Sequence, residues 1–312
     1  LRDQAPANRT GMGARHGRGQ ESLHRCNITA LPRIYKQGEI MKRTKSLLAI
    51  NSLLIGLFAL CAGLLVQTAV AGSQFFFFFS PKSSAELPTG ELRKSIESLS
   101  AAARERALQW LQSVEFSAQD LPYMKVDRQG SIYYADTFMT EKAPGGNTAA
   151  ASGPQGITAK NVFKLHSRPG AANTIFVDFD GAKISDKAWN QQARISSIKA
   201  KPYDTDDNPK SFNDSEVRNM AAIWGRIAED FSPFDVDVTT EDPDQYGQNV
   251  VWVLVTDSEP RGKQPLPSPT AGSTTYMNVF GYAQAEYYSP AFIYHNNLGS
   301  AGSIAEASSH SI

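Results

Sequence analysis

The chain has 312 residues, with 31 basic and 31 acidic side chains in formal balance, enough for one large domain or two ordinary ones. The balance is uneven: residues 1–40 carry seven basic and three acidic side chains, residues 41–71 three and none, and from Gly72 onward 21 basic face 28 acidic, a net of −7. Such an acidic body argues against nucleic acid or an anionic membrane surface as its partner and suits an exported protein that meets hard cations.

Residues 1–40 are rich in Arg and Gly and lack hydrophobic period, so they read as a doubtful or disordered leader. Met41 to Ala71 has three parts: a basic start (Lys42, Arg43, Lys45), an uninterrupted run of small and apolar residues from Leu53 to Val66, and the small-residue site Ala69-Val70-Ala71. That is the pattern of a secretory signal peptide. The expectation is export to the periplasm or the exterior, with cleavage after Ala71. Membrane attachment would arise only through an uncleaved signal. Cys26 and Cys61 both precede Gly72, so the product has no thiol, and any metal must be held by His, Asp, Glu or carbonyl oxygens.

Residues 72–90 read as a linker. Helical spacing of Leu92, Ile96, Leu99, Ala103, Trp110 and Leu111 predicts one amphipathic helix from Glu91 to Val114. Asp127-Arg128-Gln129-Gly130 is a turn, and a small hairpin is expected over 123–136. Residues 91–142 are taken as a pro-segment or accessory unit. A Gly-, Ala-, Asn- and Pro-rich linker follows over 143–162.

The second unit, 163–312, opens with the buried-type strand Thr174-Ile175-Phe176-Val177, ending in Asp178-Phe179-Asp180-Gly181. An acidic loop, Tyr203 to Asp214, leads into a helix whose apolar face is Val217, Met220, Ala221, Trp224, Ile227, Ala228 and Phe231. Asn213 and Glu216 are placed for a capping box, and Pro233 closes the far end. Phe234 to Val238 alternates as a half-exposed strand, Val250 to Val255 reads as a central one, and shorter strands follow at Ser273–Phe280 and Ala291–His295. A last helix with a second capping box starts at Ser303 and is interrupted, rather than finished, at Ile312. The expected fold is α/β (α+β): a mixed, mostly parallel sheet of about five strands packed by helices.

From Phe163 to Ile312 the chain resembles the N-terminal subdomain of a metzincin-type secreted zinc metallopeptidase. The resemblance rests on Asp178-Phe179-Asp180-Gly181, on Ile223-Trp224 and Glu229 to Thr240, on Tyr276-Met277-Asn278-Val279-Phe280, and on Ala305-Glu306-Ala307-Ser308-Ser309-His310. In that clan the helix reads H-E-x-x-H-x-x-G-x-x-H, two histidines one turn apart binding Zn²⁺ while the Glu takes a proton from metal-bound water. The resemblance puts His310 on the first zinc ligand, with Ser311 where the Glu belongs and no further ligand after Ile312. The chain is therefore expected to be inactive as it stands. Tyr276, Met277 and Asn278 fall on the edge strand along which a protein or peptide substrate lies extended.

Two other readings of the residues stand beside this one. Asp204, Asp206 and Asn208 place oxygens at alternate positions, as a calcium loop needs, although Pro209 and Ser215 break the EF-hand pattern. Asp178 and Asp180 after an apolar strand also resemble the first motif of haloacid-dehalogenase-type phosphatases, in which the first Asp attacks phosphorus, the second is acid and base, and Mg²⁺ lies between. In that likeness Thr256 takes the second motif, while Ala182 stands where Thr is expected. A non-enzymatic exported peptide-binding module is the remaining alternative.

Overall fold

A computed structural model of the protein describes residues 79–137 and 154–312. The expected leader and signal peptide, and parts of both linkers, lie outside the described residues. Among the described residues no helix is long and apolar enough to cross a membrane.

Two helices, α1 (Glu91–Glu97) and α2 (Ala101–Gln112), replace the single one expected over 91–114. Ser100 breaks the run by capping α2: its side chain accepts the Ala103 N–H, which the continuous helix would have bonded internally. The hairpin follows as β1 (Met124–Val126) and β2 (Ile132–Asp136). Its turn is drawn together by Asp127, whose Oδ1 accepts the N–H groups of Gln129 and Ser131, and by Gly130 at φ 88°.

The larger part carries β3 (Asn173–Asp178), a two-stranded ribbon β4 (Lys183–Ile184) and β5 (Ile198–Lys199) around α3 (Ala188–Ala193), and then α4 (Asp214–Asp230). After these come β6 (Val236–Thr239), β7 (Val250–Thr256), β8 (Ser273–Tyr276), β9 (Ala291–Tyr294), the single turn α5 (His295–Leu298) and α6 (Ala301–Ser311). The capping box of α4 is present: Asn213 accepts from Ser215 and Glu216, and Glu216 accepts from Asn213. The cap of α6 falls three residues earlier than expected, at Ser300, whose side chain accepts the Ser303 N–H.

The main sheet is mixed and has seven strands in the order β1-β2-β8-β9-β7-β3-β6, two more than expected. Strands β6, β3, β7 and β9 run parallel to one another, and β8 runs antiparallel to β9. These are the five main-sheet strands within residues 163–312. The extra two are the hairpin, because β2 pairs antiparallel with β8, Tyr133 opposite Tyr276 and Asp136 opposite Ser273.

Alternation along the buried strands divides the core in two. Ile175, Val177, Val253, Val255 and Ile293 face α4 and α6, meeting Met220, Ile223, Ile227, Ile304 and Ala307. Leu254, Phe292 and Tyr294 face the other way, onto Trp189 of α3 and Tyr276. The hairpin and helices α1 and α2 bury a third cluster of Leu92, Ile96, Leu111, Met124 and Ile132. Strand β6 differs from expectation: all four residues are buried, Asp237 included, because residues 165–168 run along its outer side and bond the Asp237 carboxylate.

Candidate functional site

The end of β8 and the end of α6 meet in one cleft of about 370 Å³, lined by Tyr276, Met277 and Asn278 on one side and by His310, Ser311 and Ile312 on the other. The site elements that sequence placed 34 residues apart, Tyr276 and His310, thus share one cavity. Two local features deliver them. Helix α6 packs on α4 through Ile304 and Ala307, and the chain leaves β8 through Asn278 in a left-handed conformation, φ 54°.

Strand β8 is not a sheet edge, and here the expectation is corrected. Tyr276 lies opposite Tyr133, and its hydroxyl donates to the buried carboxylate of Asp127 at 3.1 Å. Burial, with the Asp127 charge beside it, pushes that phenol well above the usual tyrosine range. The Met277 N–H donates to Ile132 O at 3.1 Å, and Met277 O accepts Trp110 Nε1 at 3.0 Å. The Asn278 amide donates to Ser113 O. The Tyr276 hydroxyl, the Met277 main chain and the Asn278 amide are therefore engaged by the hairpin, by α2 and by its C-cap Ser113. Sequence could not show this, because the pairing joins segments about 140 residues apart.

His310 sits on the last turn of α6, half exposed, with Nδ1 3.3 Å from Asp136 Oδ2 of β2 and its ring edge-on to Tyr134 at 5.5 Å. The Asp136 contact raises its pKa above the ordinary imidazole value, with partial burial opposing. Ser311, in the place of the expected Glu, turns into the sheet and donates to Ser273 Oγ at 3.0 Å. The other described histidines are elsewhere. His166 is held by Asp237 and Glu241 beside β6. His295 is buried against the Tyr203 ring, and that burial holds its pKa below the ordinary value. A catalytic zinc needs three protein ligands and an open position, so one imidazole with one neighbouring carboxylate does not make the site.

The acidic loop gathers differently from expectation. Asp204, Asp206 and Glu216 each bring a carboxylate oxygen within 4.8 Å of the others, the one such group of three among the described residues. Asn208, in the same loop, donates its backbone N–H to Asp204 and Asp206 and its side-chain amide N–H to Ser211. Glu216, which the sequence reading left out, is the third carboxylate. Buried at the start of α4, it accepts from Thr205 N at 2.6 Å and Asn213 N at 2.9 Å. The signal was the same capping box that sequence reads as purely structural. All-oxygen donors fit a hard cation and not zinc, although each of the three carboxylates already accepts an N–H bond.

Asp178 is buried at the end of β3 with both oxygens engaged, Oδ1 by the Asp180 N–H at 3.0 Å and Oδ2 by Trp252 Nε1 at 2.9 Å. Burial, and Asp180 beside it, hold its carboxyl well above the usual range. An enclosed carboxyl whose two oxygens already accept N–H bonds is poorly placed to attack phosphorus. Thr256, the second element of that likeness, is buried and donates to Lys201 O. Gly181 has its own packing reason: at φ 79°, a Cβ there would lie 2.6 Å from Pro202 N. Comparison with protein-family models, with curated proteins and with solved structures found no match to this chain.

Proposed function

We propose that residues 163–312 are the N-terminal subdomain of an exported zinc metalloendopeptidase of metzincin type, that α6 is the start of its zinc helix, and that its substrates are extended segments of proteins. The observation that carries this reading is the shared cleft, in which the antiparallel strand β8 delivers Tyr276, Met277 and Asn278 opposite His310. The mixed, mostly parallel arrangement of the five main-sheet strands in 163–312 supports it. In this reading the hairpin and α2 stand in the place of a bound peptide, because β2 adds to β8 as an extended ligand would.

The polypeptide from Gly72 to Ile312 is expected to hold no stoichiometric zinc and to leave casein and gelatin uncut. Ser311 has no basic group to replace a carboxylate at neutral pH, and His310 is the one imidazole in the cleft. Chelator-sensitive cleavage by that polypeptide would overturn the assignment of an incomplete centre. The phosphatase alternative loses ground to the enclosure of Asp178, and Mg²⁺-dependent release of phosphate from p-nitrophenyl phosphate would restore it.

Calcium remains a proposal for Asp204, Asp206 and Glu216. A cation seen only by the folded state stabilises it by mass action, by about 2.7 kcal/mol at a hundredfold excess over Kd. Thermal unfolding in millimolar Ca²⁺ against chelator is expected to show a higher midpoint, lost in Asp206→Ala. Equal midpoints with and without the ion would remove calcium from the account.

A further inference from the structure

Residues 165–168 run antiparallel along the outer edge of β6. Ser167 N donates to Val238 O and Thr240 N to Leu165 O, both at 3.0 Å, with His166 opposite Thr239. Side chains reinforce this strap, since Leu165 N donates to Thr240 Oγ1 and Val238 N to Ser167 Oγ. Asp237 Oδ1 accepts the N–H groups of Ser167 and Arg168, both at 2.9 Å.

The imidazole of His166 lies between two carboxylates, Nδ1 2.7 Å from Asp237 Oδ2 and Nε2 2.9 Å from Glu241 Oε2. Both partners accept. A neutral imidazole has one N–H and one lone pair, so either tautomer would leave a lone pair facing a carboxylate oxygen; only the imidazolium donates at both nitrogens. Asp237 is buried, so little water is at hand to soften that repulsion on the Nδ1 side, whereas Glu241 on the Nε2 side is half exposed. Arg168 does not compete for these carboxylates: its guanidinium donates to Ser232 O and Phe234 O and lies 3.8 Å from Asp235.

We propose that His166 is a protonation-controlled clasp: as imidazolium it pins the strap 165–168 over the outer edge of β6, and on losing its proton it releases that edge. This inference is independent of the peptidase reading, because β6 lies at the opposite end of the sheet from the hairpin. The two carboxylates outweigh partial burial and raise the folded-state pKa of His166 above its ordinary value. The sign follows: a pKa higher in the folded than in the unfolded state gives stabilisation that is full below the unfolded value and lost as pH rises through the folded one. Release uncovers the unpaired N–H and C=O groups of β6, the kind of edge on which another strand pairs.

The test is amide hydrogen exchange of the full chain between pH 5.5 and 9, corrected for the intrinsic rate, with the imidazole titration followed by NMR. The His166 midpoint should lie above about 6.5. Protection of Ser167 and Thr240 should fall at least about tenfold through that midpoint, while Val253 and Val255 in β7 stay level. His166→Gln, which cannot titrate, should abolish the step, and Glu241→Gln should lower the midpoint. A midpoint at or below the ordinary value, protection that is flat with pH, or an unchanged step in His166→Gln would each overturn the clasp.

Discussion

Gly130→Ala is expected to lower the unfolding midpoint by roughly 6 °C or more, from a loss of about 3 kcal/mol. A Cβ at this position would sit 2.0 Å from the Ala103 carbonyl oxygen and 2.9 Å from its carbon, at a φ of 88°. Those atoms are helix backbone, so α2 itself must retreat. It cannot do so cheaply, because Ala107 and Leu111 on α2 pack in the same buried cluster as Met124 and Ile132 of the hairpin. Arg106 also ties α2 to the turn through Gln129 O at 2.7 Å. Gly170 is the control. Its φ is 84°, but nothing lies within 4 Å of an added Cβ, so Gly170→Ala should cost only about 1 kcal/mol of backbone strain. Since the hairpin covers β8, faster amide exchange at Ser273–Met277 should accompany the first substitution and not the second. Equal midpoints for the two variants would show that the turn does not press on α2.

What was legible in the sequence was what local periodicity writes. The apolar face of α4, the run Val250–Val255 and the turn at Asp127–Gly130 each reflect neighbours within a few residues, and each appears as expected. Long-range pairing has no such local record. The expectation of an open edge at Tyr276–Asn278 and of a half-exposed β6 both failed for this reason. The covering partners, Ile132 with Trp110 for the first and His166 with Ser167 for the second, are tens to more than a hundred residues away. The ribbon β4–β5 with α3 was missed because residues 183–199 are mostly polar and lack period; one aromatic, the fully buried Trp189, anchors α3, its Nε1 bonded to Pro290 O. Of the candidate site, His310 and the β8 segment were legible together only through family resemblance. Glu216 was visible as a cap and hidden as a possible ligand.

If α6 is the start of a zinc helix, as proposed, extending it as one is expected to produce the largest change of all. Ser311→Glu alone should rescue nothing, since two ligands remain absent and the residue at 311 is buried against Ser273. An extended chain supplying H-E-x-x-H-x-x-G-x-x-H from His310 onward places the second imidazole one turn further on the same face of α6, with the third brought round after the Gly turn. The same extension retaining Ser311 should bind zinc yet hydrolyse about 10²–10⁴-fold more slowly, the usual worth of a positioned general base.

Zinc stoichiometry of that extended chain, measured beside its circular dichroism to confirm folding, tests the central claim most directly. The account predicts one zinc per chain, abolished by His310→Ala. A folded extended chain that takes up no zinc, or whose zinc is indifferent to His310→Ala, would contradict it.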